Sequence, residues 1–321
     1  SLQSYEKECE YVEFFRSEGA PNDVDIVHFP YFNPFFFTLP LQRSCPTVVT
    51  VHDLTPLVYP EHFPPGIKGR IRWLIQKRSL RGVEGIISDS QASKEDIIKF
   101  TGIDAGKIHV VYLAHDERFK KVSDWKWITK ITNKYKIPDK FVLYVGDVLW
   151  SKNIPRLLDA IKEINLTLVM VGKQTKLLDF DKNHPWNKDL VLLHEKAKDD
   201  KRIIRLGFVP DEDILAIYNS ATLLIQPSFR EGFGLPILEA MACGCPVVTT
   251  RGGSLPEIAG DAAFYVNPHD TTSIANGIGE VFFSKELQER LSRKGLEQAK
   301  KFSWRKTARE TVKVYEKVLR R

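Results

Sequence analysis

Two carboxylates, Glu231 and Glu239, bracket a glycine turn in the stretch QPSFREGFGLPILEAMACGCPVVTTRGGSLPE, residues 226–257. Backbone amides at Gly232, Phe233 and Gly234, with Leu235 next, stand where a helix begins. Such amides face an oxyanion or a sugar hydroxyl. The partial positive charge there is worth roughly 0.3–1 kcal/mol when exposed. Glu239 falls about one helical turn further on, where a carboxylate can accept both hydroxyls of a ribose. Glu231 precedes the helix and can reach a sugar held over the turn. A hydrolase pair is a poor fit: the separation spans about 12 Å if helical, against the ~5–5.5 Å of retaining glycosidases. Lys152 lies between Gly146 and a helix start at Asn153, where an ammonium can meet a nucleotide diphosphate. His52 follows an apolar run, at the edge of a parallel sheet where ligands bind. The bland alternatives are a capped helix packed on a sheet for the glycine turn and a satisfied structural histidine for His52.

Positioning these groups requires strands that end just before them. Residues 221–225 (ATLLI) read as a buried strand that breaks at Pro227-Ser228. Pro236 suits a first helical turn, Gly244 a helix end, and 246–250 (PVVTT) the next strand, so the stretch is a βαβ unit. Residues 141–145 (FVLYV) form the strand before Gly146, and a helix runs from Asn153 to about Ile164. Residues 46–51 (PTVVTV) form the strand that delivers His52. Further strands are expected at 24–29, within 85–90 (a strand and its loop), and at 107–112, 166–171, 202–209 and 263–268. Ser93 is expected to cap a helix over 94–100. Helices are also expected over 1–20, 174–200, 211–219 and from Trp304 to the end.

The Glu-x7-Glu segment resembles the signature of retaining, nucleotide-sugar-dependent glycosyltransferases of family 4, which have the GT-B fold. The words TVHDLTPLVYPE around His52 are similar to the N-terminal domain of the same family, and mannosyltransferases of polysaccharide assembly in particular. The resemblance implies an α/β protein of two Rossmann-like domains facing an interdomain cleft: 1–137, rejoined by helix 304–321, and 138–303. It implies that His52 faces the transferred sugar, that the backbone at Val209 contacts the nucleobase, and that no metal is required. Relatives often carry arginine beside the lysine or just after the glycine, where Asp147 and Ser151 stand here, so more of the diphosphate charge falls to Lys152. Relatives also begin with a strand and glycine-rich loop that this sequence does not contain, which reads as an incomplete N-terminal domain.

At 321 residues the chain accommodates two cores. A net charge of +6 is compatible with an anionic substrate or membrane surface, and no apolar run is long enough to span a bilayer. Nucleic-acid binding is not expected, since outside the basic stretch 68–81 basic and aromatic residues do not interleave as in such modules. Four cysteines form no disulfide framework, and Cys243-Gly-Cys245 reads as small residues at a helix end, so a cytoplasmic setting is expected. The basic stretch 68–81 has two readings: a solvated face over a core stripe (Ile71, Leu74, Ile75), which is the ordinary one, or an interfacial helix on the inner face of a membrane. The aromatic loop 31–37 (YFNPFFF) either packs or touches acceptor or lipid. Residues 120–138 read as the connection between domains.

Together these imply hexosyl transfer, with retention, from a nucleotide sugar to a hydroxyl of a glycan or lipid-linked acceptor. GDP-mannose leads over a UDP-sugar as donor, and no cofactor is expected. The alternatives are a phosphorylase or epimerase on the same fold, or a catalytically silent donor-binding subunit.

Overall fold

The computed structural model describes residues 10–13 and 23–320, so most of the helix expected over 1–20 lies outside the described residues. The chain forms two units: one runs to Ala114 and resumes over Phe302–Arg321, the other is His115–Lys301.

The first unit carries β1 (Val27–Phe29), β2 (Thr47–Val51), α1 (Thr55–Val58), α2 (Gly66–Arg81), β3 (Gly85–Ser88), α3 (Gln91–Thr101) and β4 (Ile108–Val110). The strands make one parallel sheet in the order β1-β2-β3-β4. Every residue of β2 and β3 is buried, as expected for parallel strands covered on both faces. Val49, Val51, Ile86, Leu80 and Ile97 form the core on the helix side. Ser90, not Ser93, caps α3: its hydroxyl accepts from the Ser93 amide, and the helix starts three residues earlier than the sequence suggested. The Ser93 hydroxyl instead donates to the His52 carbonyl.

The second unit begins with α4 (Trp125–Lys134), followed by β5 (Val142–Val145), α5 (Ile154–Ile164), β6 (Leu168–Val171), α6 (Lys188–Ala197), β7 (Ile203–Gly207), α7 (Asp211–Ser220), β8 (Leu223–Gln226), α8 (Leu235–Ala242), β9 (Val247–Thr249), α9 (Leu255–Ala259), β10 (Ala263–Tyr265), α10 (Thr271–Phe283) and α11 (Lys285–Ala299). The last helix of the chain, α12 (Trp304–Leu319), belongs to the first unit, where Val314, Tyr315 and Val318 pack on Val48 and Ile87. All six strands of the second sheet are parallel, in the order β10-β9-β8-β5-β6-β7. The chain winds outward from β5 to β7, then returns and winds the other way from β8, so the topological switch lies between β5 and β8.

The expected connection over 120–138, and with it the boundary at 137, is corrected. α4 buries Ile128 and Ile131 against Ala216 of α7, and Lys134 and Tyr135 both bond the Asp213 carboxylate. An amphipathic stripe with a partner is part of a core, and it ties this segment to the second unit. Segment 174–200 is only partly helical, with short 3-10 turns before α6.

Candidate active site

The switch between β5 and β8 is where the second unit concentrates chemistry. The chain leaves β5 through Gly146 and makes a short 3-10 turn, Trp150–Lys152. Leaving β8, it passes Pro227 and Ser228 to reach Glu231. Lys152 and Glu231, 79 positions apart, meet there: Nζ donates to Oε1 at 2.8 Å and to Oε2 at 2.7 Å. Both side chains are largely buried. A buried ion pair persists only with further hydrogen bonds, because each ion has lost its water. Gln226 Nε2 donates to Glu231 Oε1 at 2.8 Å and the Ser228 hydroxyl to the same oxygen at 2.6 Å. Oε1 therefore has three donors and Oε2 only Lys152 among the described residues. Oε2 is the oxygen with acceptor capacity left for an incoming hydroxyl.

The turn itself is strapped from behind. The Ser254 amide and hydroxyl both donate to the Glu231 carbonyl at 3.1 Å, and the hydroxyl also donates to the Phe233 carbonyl at 2.8 Å. Glu231 pairs with Gly253 in a single parallel bridge. Gly253 has φ +64, and a Cβ there would stand 2.3 Å from the Glu231 carbonyl oxygen, so only glycine lets the two backbones approach. Gly234 has φ +102 and directly precedes α8, with Leu235 the first helical residue and Pro236 in its first turn. The turn-then-helix order read from the sequence is present.

Glu239 is on α8 but engaged with another element. It accepts a hydrogen bond from the Tyr218 hydroxyl at 2.7 Å through Oε2. Burial pushes its carboxyl above the usual range, the Tyr218 bond pulls it back, and the charges of Asp211 and Asp116 add to the rise. Val209 follows β7 with its side chain buried, while its neighbour Phe208 is 74% exposed. Arg251 stacks on Tyr265, 4.2 Å from the ring centroid. Cys243 and Cys245 are buried at the end of α8; burial pushes both thiols up, Cys245 to about 12, so neither is a reactive thiolate.

In the first unit, His52 stands just beyond β2. Its Nδ1 bonds Asp89 Oδ2 at 2.6 Å and its Nε2 bonds the Pro30 carbonyl at 3.1 Å. Both partners are acceptors, so the ring fits as an imidazolium with a proton on each nitrogen. The Asp89 bond is the main cause of its raised pKa, opposed by partial burial. Burial raises the Asp89 carboxyl as well, and its Oδ1 is buried without a hydrogen-bond partner among the described residues. The pair as a unit thus retains a proton that a free histidine releases. A second histidine, His28 on β1, bonds Thr50 Oγ1 at 2.8 Å and the Tyr315 hydroxyl at 2.6 Å. Burial, then the His52 charge, lowers it from 6.5 to about 4.

Sequence reasoning missed Gln226, Ser228, Asp89 and a ring stack beside Lys152. Trp150 lies on Phe229 with centroids 4.5 Å apart, and Arg156 covers Phe229 at 5.4 Å. The one local signal was a glutamine closing an apolar run at 226.

The chain matches known proteins along most of its length. The profile of the glycosyl transferases group 1 family matches residues 128–298, and that of glycosyltransferase family 4 matches residues 10–119. The chain is a member of glycosyltransferase family 4. This glycosyltransferase is 33% identical to O-antigen chain mannosyltransferase B of Escherichia coli, over 91% of its own length and 75% of the relative's. It is 29% identical to the serotype-specific mannosyltransferase WbdA of Escherichia coli, over 85% of its own length but only 34% of that relative's. Among solved structures, Anabaena Alr3699/HepE in complex with UDP-glucose has the same fold, with a TM-score of 0.69 and 23% identity over 85% of this chain and 72% of that one.

Proposed function

We propose that the chain transfers a mannosyl group, with retention at the anomeric carbon, from a nucleotide diphosphate sugar to a hydroxyl of a glycan or lipid-linked acceptor. The observation that carries this reading is the Lys152–Glu231 pair at the switch of the second sheet, held by Gln226 and Ser228. Donor phosphates compete with Glu231 for the Lys152 ammonium, and the sugar takes the Oε2 position. Lys152 then neutralises charge on the departing diphosphate, the step where fixed charge helps most. Amides from Gly232 to Leu235 support the sugar, Glu239 takes the ribose, and the backbone at Val209 the base, with Gly146 leaving room for the diphosphate. His52 keeps the role the family resemblance implies, contact with the transferred sugar. No metal or cofactor takes part in this reading.

Mannose is favoured because two similar proteins are named mannosyltransferases. The similar fold holding UDP-glucose makes a UDP-sugar the competing donor. A thermal-shift series with GDP-mannose, UDP-glucose and their nucleotides decides between them, with Lys152→Met as the control that should abolish the shift. If no nucleotide sugar stabilises the chain, the donor site is not where we place it. Transfer from radiolabelled GDP-mannose to a polysaccharide or membrane-extracted acceptor, lost in Glu231→Gln, tests the reaction itself.

A further inference from the structure

Helix α2 packs with the face a helix normally exposes. Its buried residues are Gly69, Gln76, Ser79 and Leu80. Gln76 is tied to the neighbouring loop: Oε1 accepts from the Thr38 and Leu39 amides and Nε2 donates to the Leu39 carbonyl. Outward stand Ile67, Leu74 and Ile71, exposed by 80, 67 and 54%. At 100° per residue these three share one stripe with Arg70, Arg78 and Arg81. The core stripe expected at Ile71 and Leu74 is therefore corrected, because the face that packs inward is the one carrying Gly69, Gln76, Ser79 and Leu80. An amphipathic helix on a soluble protein shows the opposite arrangement.

The patch continues into the loop beside α2. Phe36 is 54% exposed, with Phe37, Tyr31 and Leu41 exposed near it in sequence. Arg72 reaches from α2 to both rings, 5.9 Å from Phe36 and 5.7 Å from Phe37. α2 also carries Lys68, Arg70, Arg72, Lys77, Arg78 and Arg81, and no acidic residue.

We propose that this face of the first unit docks on an anionic phospholipid bilayer, with α2 lying in the plane of the interface. Isoleucine and leucine enter the headgroup–acyl boundary, the arginines and lysines meet lipid phosphates, and the Phe36–Phe37 loop supplies aromatic anchors. A second copy of the chain fits less well, since a two-fold contact through this patch sets one row of cations against the same row. Nucleic acid would use the cations but leave the apolar stripe without a partner. The inference deepens the reading of a lipid-linked acceptor, and its test does not depend on transfer.

The test is co-sedimentation of the whole chain with vesicles of phosphatidylcholine alone or with phosphatidylglycerol added, at low and high salt. Binding to the phosphatidylglycerol vesicles alone, weakened by salt, is expected. Ile71→Ser with Leu74→Ser, and separately Arg70→Glu with Arg78→Glu, should each lower the partition about tenfold or more. Lys306→Glu with Lys313→Glu on α12 should leave it unchanged. All the substituted positions are exposed, so unchanged circular dichroism and an unchanged thermal shift with nucleotide sugar separate lost docking from lost folding or a misplaced donor site. The proposal is overturned by equal binding to phosphatidylcholine, by binding that survives either α2 variant, or by no binding to any vesicle. It is equally overturned if inorganic phosphate displaces the chain from vesicles at equal ionic strength, if RNA is bound in place of vesicles, or if the apolar variant abolishes only a dimer in solution.

Discussion

Glu231 is held by three neighbours on two segments, and their separate contributions are measurable. Glu231→Gln keeps the shape but loses the charge that anchors Lys152; transfer should fall by about a hundredfold or more, as when a fixed charge-stabilising group is removed. Ser228→Ala deletes one bond to Oε1 and leaves a buried carboxylate less well held. A stability loss of about 1–2 kcal/mol in urea unfolding is expected, with a lower kcat and a nearly constant KM. A raised KM with unchanged kcat would mean that Ser228 only helps bind the donor. Lys152→Met is the harsher change, because it strands a carboxylate that is 9% exposed; a loss of about 3–5 kcal/mol is expected if the carboxylate stays ionised.

At the level of elements, the return loop after β9 locks the glycine turn at Glu231. Gly253→Ala puts a methyl group against the Glu231 carbonyl in a backbone region that L-residues avoid. Loss of donor-induced thermal stabilisation is expected, together with roughly 2–3 kcal/mol of stability. Retention of full donor binding would show that the strap does not set the position of Glu231. In the first unit, β1, β2 and α12 meet at His28, and the sign of its pH effect follows from its low pKa. His28 stays neutral in the fold down to about 4, whereas the unfolded chain takes up the proton below 6.5. Stability should therefore fall as pH drops from 6.5 to 4, by up to about 3 kcal/mol, a slope that His28→Gln removes from urea midpoints. His52 acts on the other side: its pKa is raised, so its contribution is complete below 6.5 and is lost as pH rises through the raised value. Asp89→Asn should remove that alkaline arm and leave the acid arm in place.

Across the whole molecule, the order of the chain and the order of the cores differ. The final helix completes the first unit, so its loss is felt far from the C-terminus in sequence. Val314→Ala should cost about 2 kcal/mol and lower the transition of the first unit, while the second unit's transition stays where it was. Calorimetry or protease resistance of each unit checks this, and an equal downward shift of both transitions would show that the two do not unfold separately.

Much of this was legible before any coordinates. Buried parallel strands are continuous apolar runs, and each run at 47–51, 85–88, 142–145, 168–171 and 223–226 lies within or beside a strand expected from pattern alone. The glycine turn announced its helix, since Gly234 and Pro236 have backbone preferences that hold locally. What failed was local inference about which face is buried. Residues 125–134 looked like a connection because their partner, α7, lies far along the chain. The stripe on α2 looked like core because a pattern records which residues share a face, not which way that face turns. The pairing of Lys152 with Glu231, and the help of Gln226 and Ser228, also had no sequence signature. The sequence by itself determined the strands, the turn and the family, because these depend on short-range backbone preference and on motif. The tertiary structure decided which charges meet and which apolar residues stay in water, because the order in which parallel strands assemble brings together groups that no local rule connects.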